Sequence, residues 1–215
     1  GIRSARGDFL AFVDSDDLWL PGKLQAQMKA LQSRPEIGWS FTHCHVLDHA
    51  SGRVEPTPAP ASGDPGPADM LCNNLVPSPT VLARRTLLER TGPFSEAPGL
   101  RFVEDWELWL RLYAAGRPAR LSEPLALYRR HPANATGAVE AKTKFLRCLA
   151  AIQAAVEATP AAYGPHYAQA VRTHLGFVTQ LLREGDQDGV IECCKAVRRG
   201  PSRVPGITAL ELLAK

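Results

Sequence analysis

The sequence lacks three features that would each point to a class of protein. No apolar stretch approaches the roughly 20 residues that a membrane-spanning helix needs, so we expect no transmembrane segment. No long run of Lys or Arg is present and the net charge is only +3, which argues against a nucleic-acid partner. The first residues form neither a charged leader nor the start of a long apolar segment, so we expect no secretory signal.

Cysteine is also scarce, and its pattern excludes a disulfide framework. The five cysteines are odd in number and irregularly spaced, which indicates reduced thiols in a cytoplasmic protein. His43 and His45 flank Cys44, but alternation along a strand would put both imidazoles on one face and the thiol on the other. We therefore interpret the two histidines as half-buried strand residues and not as zinc ligands.

The first two thirds of the chain predict an α/β fold, a partial Rossmann-like mixed sheet with flanking helices. Residues 8–14, DFLAFVD, form a short apolar run typical of a strand buried in a mostly parallel sheet. Leu24, Met28 and Leu31 follow at i, i+4 and i+7 spacing, which predicts a helix with an apolar stripe. Residues 37–48 alternate as a second strand, and residues 119–131 read as an extended segment. Residues 104–116 give the clearest helix, in which the stripe containing Trp106 and Trp109 favours core packing.

After Pro132 the pattern becomes helical and rich in Ala. We place a domain boundary here, with an α/β domain over residues 1–136 and an all-α carboxyl-terminal segment over residues 137–215. Breaks between helices are predicted at Pro160, at Gly164-Pro165, at Gly185 and at Gly200-Pro201.

Three carboxylates follow the first predicted strand at once: Asp14, Asp16 and Asp17. In open α/β sheets, ligands bind beyond the carboxyl ends of the strands. Adjacent carboxylates repel one another unless a cation lies between them, and Mg²⁺ or Mn²⁺ takes oxygen ligands that it shares with substrate phosphates. We therefore favour a metal–phosphate site. The plainer alternative is a solvated turn that caps the next helix.

Two other metal sites fit the spacing poorly. An EF-hand loop starting at Asp14 would need Gly at its sixth position and Glu at its twelfth, where the chain has Trp19 and Gln25. A phosphatase of the haloacid dehalogenase type also carries Asp-x-Asp after a strand. It would have Thr or Val at the position of Leu18, so we keep it only as a weak competitor.

Four segments, in this order, resemble family 2 glycosyltransferases, which have a GT-A fold and transfer sugars from nucleotide-diphosphate donors. The resemblance covers about residues 1–136 and includes a carboxylate motif, an acceptor-side segment, a Glu-Asp motif that opens a helix, and a closing Tyr-Arg-x-His element. The segments are GIRSARGDFLAFVDSDDLWLPGKL, NNLVPSPTVLARRTLLERTGPFSE, FVEDWELWLRL and LALYRRHPANAT.

The resemblance implies roles for the carboxylates. Asp14 would reach the nucleotide ribose or the metal, Asp16 would bind Mn²⁺ or Mg²⁺ on the diphosphate, and Asp17 extends the motif. Asp105 would be the general base that deprotonates the acceptor hydroxyl in an inverting displacement. Glu104 beside it would orient Asp105 or raise its pKa.

The resemblance also implies roles for the basic residues at the end of the α/β domain. Arg129 or Arg130 would contact phosphate, with plain surface charge as the alternative. His131 would be a metal or phosphate ligand.

The donor-binding first half of the family pattern has no counterpart in this sequence. We therefore expect the acceptor-side portion of a transferase, either a fragment or a truncated product, with weak turnover by itself. The expected partners are a nucleotide-sugar donor and a glycan or lipid-linked acceptor in polysaccharide assembly. The expected location is cytoplasmic, with the inner face of the cytoplasmic membrane as a peripheral site. The alternative is an inactive remnant that binds a partner through residues 137–215.

Overall fold

A computed structural model describes residues 1–59, 63–134 and 139–214, and these residues cluster into two compact units. The first unit contains the sheet, and the second is mainly helical. The boundary predicted between residues 136 and 137 lies outside the described residues, so it stays a prediction. The second unit also takes in residues 65–74 and 94–110, which the sequence had placed with the sheet. The first unit is 1–64, 75–93 and 111–134, and the second is 65–74, 94–110 and 135–215.

Among the described residues, six strands form one mixed sheet in the first unit: β1 Phe9–Ala11, β2 Leu18–Trp19, β3 Trp39–Asp48, β4 Val54–Glu55, β5 Val81–Arg84 and β6 Ala119–Arg130. Their order is β1-β5-β3-β6-β2, with β4 paired to β3. The two long strands β3 and β6 run parallel, and the other pairs among these strands are antiparallel. The predicted fold class, a mixed sheet with flanking helices and a helical carboxyl-terminal region, is confirmed.

The parallel surroundings expected for β1 are wrong. This strand lies at one edge of the described sheet and pairs antiparallel with β5. Leu10 is buried on one face, whereas Val13 just beyond the strand is 48% exposed. Pro124 lies within β6, where the register with β3 shifts, so the missing amide hydrogen of proline falls at an irregularity of the ladder.

The first helix of the sheet unit follows β2 and buries an unexpected face. Periodicity predicted a stripe of Leu24, Met28 and Leu31, but Leu24 is 42% exposed, while Lys23 and Gln27 are buried beside Leu31. The buried polar atoms have partners: Lys23 Nζ donates to Gln27 Oε1 at 2.7 Å and lies 4.7 Å from the centroid of the Trp19 ring. The helices are α1 Lys23–Ser33, α2 Pro67–Cys72, α3 Arg85–Thr91, α4 Glu104–Ala115, α5 Ala141–Ala158, α6 Pro160–Tyr163, α7 Tyr167–Thr173, α8 Leu175–Glu184, α9 Gln187–Arg198 and α10 Ile207–Leu213.

The helix breaks predicted in the second unit are confirmed. Pro160 opens α6, and Gly185 ends α8 with φ +77°, the left-handed conformation that glycine tolerates at a helix end. Asp186 then caps α9, because its Oδ1 accepts a hydrogen bond from the amide of Gly189 at 2.9 Å. Trp106 and Trp109 are both buried, as core packing requires. Within the described ranges, no helix is long and apolar enough to cross a membrane.

Candidate active site

The three carboxylates lie on the turn between β1 and β2, in three different environments. Asp14 is exposed, Asp16 is partly covered and Asp17 is only 6% exposed. The turn is closed by the Asp17 amide, which donates to the carbonyl of Asp14 at 3.1 Å. The sequence therefore places charge at the end of a strand as expected, but the fold buries one of the three groups.

Strand β2 explains why the turn folds back onto β6. Leu18 and Trp19 pair antiparallel with Leu127 and Ala126, and this pairing brings the preceding aspartates alongside the end of β6. Arg129 then binds the turn twice. Its amide donates to Asp17 Oδ1 at 2.8 Å and its Nε donates to the Asp16 carbonyl at 2.6 Å.

His131 completes this contact from the residue just beyond β6. Its Nε2 lies 2.9 Å from Asp16 Oδ2, and the Asp16 pKa is lowered mainly by this hydrogen bond. Two residues 115 positions apart in the sequence thus form one hydrogen bond. The structure therefore brings together four of the predicted residues: Asp16, Asp17, Arg129 and His131.

Asn134 belongs to the same cluster, and the sequence analysis missed it. Its amide donates to the His131 carbonyl at 3.0 Å, and its Oδ1 accepts from the His131 amide at 2.5 Å. Its Nδ2 donates to the Arg129 carbonyl at 3.1 Å. The signal available in the sequence was an Asn three residues after the histidine, a spacing at which the side chain can close a turn.

Asp17 is the most perturbed carboxyl of the cluster. Burial raises its pKa to about 6, repulsion from Asp16 and Asp14 adds to the shift, and the hydrogen bond from the Arg129 amide opposes it. Its Oδ2 atom is buried and has no hydrogen-bond partner among the described residues. A buried carboxylate oxygen without a partner is costly, which makes it a candidate contact for a cation.

Two of the predicted cation ligands lie close together. Two ligands of one octahedral ion at about 2.1 Å and at a right angle lie roughly 3 Å apart, and Asp16 Oδ2 and His131 Nε2 have that separation at 2.9 Å. Across the described ranges, no group of three or more His, Cys, Asp or Glu side chains is placed to hold a metal. The residues therefore fit a divalent ion that has few protein ligands and takes the others from phosphate and water.

The side chain of Arg130 forms ion pairs at the protein surface and not with the aspartates of the turn. Its guanidinium pairs with Glu55 at 2.7 Å and with Asp48 at 3.5 Å, and its side chain is half exposed. Of the two interpretations offered for this arginine, these contacts favour surface charge. Arg129 is the one that touches the aspartate turn.

His43 and His45 have the half-buried environment predicted for them. Thr57, which follows β4, contacts both histidines: its Oγ1 lies 3.0 Å from His43 Nε2, and its backbone amide donates to His45 Nδ1 at 3.3 Å. Burial lowers the pKa of His43. A cavity of about 200 Å³ lies beside these residues, lined mainly by apolar groups.

The second unit contains the other predicted carboxylates, Glu104 and Asp105, at the start of α4. Asp105 is held at both oxygens: the Trp106 amide donates to Oδ1 at 2.6 Å, and Asn74 Nδ2 donates to Oδ2 at 3.1 Å. Glu104 Oε2 is buried without a hydrogen-bond partner in the described part of the chain. The sequence analysis had not singled out Asn74 as a partner of Asp105.

Backbone strain lies directly before this pair. Phe102 has φ +72°, a left-handed conformation that is a genuine outlier for an aromatic residue. Two guanidinium groups lie over its ring, from Arg147 at 4.7 Å and from Arg101 at 5.0 Å. Such strain concentrates at functional sites. Asp105 and the aspartate turn belong to different compact units, so the expectation that they serve one reaction stays a prediction.

Comparison with known proteins agrees with the motifs. Residues 1–53 match the family described as Glycosyl transferase family 2. The chain is 30% identical over 132 residues to the putative teichuronic acid biosynthesis glycosyltransferase TuaG of Bacillus subtilis, covering 60% of this chain and 49% of TuaG. It is also 30% identical over 132 residues to the uncharacterized protein Rv1520 of Mycobacterium tuberculosis, covering 60% of this chain and 37% of the relative.

The fold agrees as well. The crystal structure of Staphylococcus aureus TarS 1-349 in complex with UDP-GlcNAc matches with a TM-score of 0.62 at 17% identity, covering 91% of this chain and 59% of that chain. The chain spans less than half the length of the two curated relatives.

Proposed function

We propose that the chain is the acceptor-side part of an enzyme that transfers a sugar from a nucleotide-diphosphate donor to an acceptor hydroxyl. The resemblance to family 2 glycosyltransferases and to the GT-A fold, which the motifs and the matches share, supports this proposal. The reaction is metal-dependent and inverts the anomeric carbon. Because the chain spans only part of its relatives, this activity belongs to the whole protein that contains it.

The aspartate turn would hold the donor diphosphate. Asp16 and His131 would ligate Mn²⁺ or Mg²⁺, and exposed Asp14 would supply a further oxygen or contact the ribose. When bound, the ion would neutralise the negative charge that the leaving diphosphate gains. Arg129 would keep the turn in place through its two hydrogen bonds to Asp16 and Asp17.

Asp105 would act as the general base. The acceptor oxygen attacks the anomeric carbon as its proton passes to the Asp105 carboxylate, while the bond from that carbon to the diphosphate oxygen breaks. Inversion requires the base and the leaving group to lie on opposite faces of the sugar. The hydrogen bonds from Trp106 and Asn74 would orient the Asp105 carboxylate, and Glu104 would assist from the same turn of helix.

The relatives suggest where to look for substrates. TarS was crystallised with UDP-GlcNAc, and TuaG is named for teichuronic acid biosynthesis, so UDP-sugars and cell-surface polysaccharides are the first donors and acceptors to test. A glycan or lipid-linked acceptor would place the protein in the cytoplasm at the inner face of the membrane.

The observation that carries this proposal is the 2.9 Å contact of Asp16 with His131 beside the buried, unpartnered oxygen of Asp17. The test is Mn²⁺ binding by calorimetry, followed by UDP-sugar binding with and without Mn²⁺. We compare the wild type with Asp16→Ala and with Asp188→Ala, which removes an exposed carboxylate on α9. Loss of Mn²⁺ binding in Asp16→Ala alone supports the proposal. Equal Mn²⁺ binding in all three proteins would remove the metal site from the proposal, and absence of UDP-sugar binding as well would favour the alternative, an inactive remnant with a helical interaction module.

A further inference from the structure

We propose that Asn134 is a positioning residue that sets the His131 imidazole against Asp16 for cation binding. This inference rests on the proposed function, because it assigns a role within the same site. The proposed role of Asn134 is to hold a ligand of the ion and not to act as one.

His131 and Asn134 exchange two hydrogen bonds across the turn of residues 131–134. The Asn134 amide donates to the His131 carbonyl at 3.0 Å, and the Asn134 side chain accepts from the His131 amide at 2.5 Å. Residues 131 to 134 are therefore closed at both ends by one asparagine. Pro132 inside the turn removes one more backbone freedom, so the backbone of His131 is fixed.

The side-chain amide of Asn134 also reaches back to β6. Its Nδ2 donates to the Arg129 carbonyl at 3.1 Å and lies 3.5 Å from His131 Nε2. Arg129 is the residue whose amide and Nε bind Asp17 and Asp16. Asn134 thus links the backbone of the two residues that contact the aspartate turn.

The imidazole then has a defined surrounding. Its Nε2 meets Asp16 Oδ2 at 2.9 Å, and the ring of His49 meets it edge-on with centroids 5.9 Å apart. The His131 side chain is one fifth exposed. If the turn opened, the His131 ring would no longer be held against Asp16, and the site would have one fewer preorganised ligand.

Residues that orient metal ligands typically change metal affinity 10- to 100-fold when they are lost. We therefore expect Asn134→Ala to bind Mn²⁺ about 10- to 100-fold more weakly than the wild type, as measured by calorimetry. Asn134→Ser keeps a hydroxyl that can accept from the His131 amide, so it should restore most of the affinity. Gln180→Ala removes an exposed side-chain amide that donates a hydrogen bond to Glu184 on α8, and it should leave the affinity unchanged.

A second readout needs no metal. Long-range ¹H–¹⁵N correlation spectra of the metal-free protein report the protonation and surroundings of the imidazole nitrogens. Asn134→Ala should shift the His131 nitrogen signals, Asn134→Ser should bring them back toward the wild type, and Gln180→Ala should not move them. A role limited to stability would lower the melting temperature and leave these signals in place.

Failure of this inference can be told from failure of the proposed function. If the wild type binds Mn²⁺ and Asn134→Ala binds it within twofold, the positioning role is wrong and the metal site stands. If the wild type binds no Mn²⁺, the metal site fails, and the imidazole spectra decide whether Asn134 places His131. Unchanged His131 signals in Asn134→Ala overturn the inference in either case.

Discussion

Replacing Asp17 with Asn should stabilise the metal-free protein above pH 6 and have a much smaller effect near pH 4. Asp17 is buried, and one of its oxygens has no partner in the described residues. The substitution removes the charge but keeps an oxygen that can accept from the Arg129 amide, as Asp17 Oδ1 does at 2.8 Å. It therefore isolates the cost of the buried charge from the loss of the hydrogen bond.

The sign follows from proton linkage. The carboxyl pKa rises from 3.8 in the unfolded chain to about 6 in the fold. Between those values the folded state binds more protons, so stability falls as the pH rises through this window and levels off above it. One pKa unit corresponds to about 1.4 kcal/mol, so the shift sets an upper value of about 3 kcal/mol. Salt reduces the share that comes from repulsion by Asp14 and Asp16, and we expect about 1–3 kcal/mol.

The measurement is urea unfolding at pH 4, 5, 6 and 7.5 in the presence of a chelator. The decisive quantity is the change with pH of the difference between Asp17→Asn and the wild type, because the cost of burying an amide cancels from it. Asp188→Asn, an exposed carboxylate, is the control and should show no such change. A difference that stays constant from pH 4 to 7.5 would refute the buried-charge argument.

Three further substitutions test other parts of the structure. Asp105→Asn should reduce transfer by the whole protein about 10²- to 10⁴-fold while donor binding is retained, because only the base is lost; retained transfer would identify another base. Burial lowers the pKa of Lys23 to about 8, so from pH 8 to 10.5 the stability of the wild type relative to Lys23→Met should rise by up to about 3 kcal/mol in urea unfolding; the buried thiols, whose raised pKa values lower stability above pH 9, affect both proteins and cancel from this difference. Gly200→Ala would place a Cβ 1.8 Å from Tyr167 Oη and should cost about 1–3 kcal/mol, whereas Gly176→Ala has open space and should not destabilise.

Local patterns in the sequence predicted much of the fold. The alternation of residues 37–48 gave β3, the stripe through Trp106 and Trp109 gave α4, and Gly and Pro marked the helix ends. These features depend on neighbours in the sequence, because side-chain period and backbone preferences act over a few residues. The position of the aspartates on the turn after β1 was predictable for the same reason.

The buried face of α1 could not be read in this way. Periodicity counts apolar residues and therefore selected Leu24, but the fold buries Lys23 and Gln27. Gln27 Nε2 donates to the Thr80 carbonyl at 2.9 Å and to Ser40 Oγ at 3.1 Å. Lys23 is hydrogen-bonded by Gln27 on the same helix, but the amide of Gln27 in turn needs Ser40 and Thr80, which lie on β3 and just before β5 and which no local window contains.

The candidate site also depends on contacts between residues that are far apart in the sequence, and these contacts set the protonation of its carboxylates. Residues 14–17 supply the charge, but Arg129 and His131, which contact these carboxylates, lie more than 100 positions later in the sequence. The hydrogen bond with His131 lowers the pKa of Asp16. Burial raises the pKa of Asp17 to about 6, although the hydrogen bond from the Arg129 amide opposes that shift. Two adjacent aspartates of one motif therefore differ in protonation behaviour because the fold brings the end of β6 alongside the turn. It follows that a substitution that unpairs β2 should erase the difference between the two carboxyls, even with every aspartate intact.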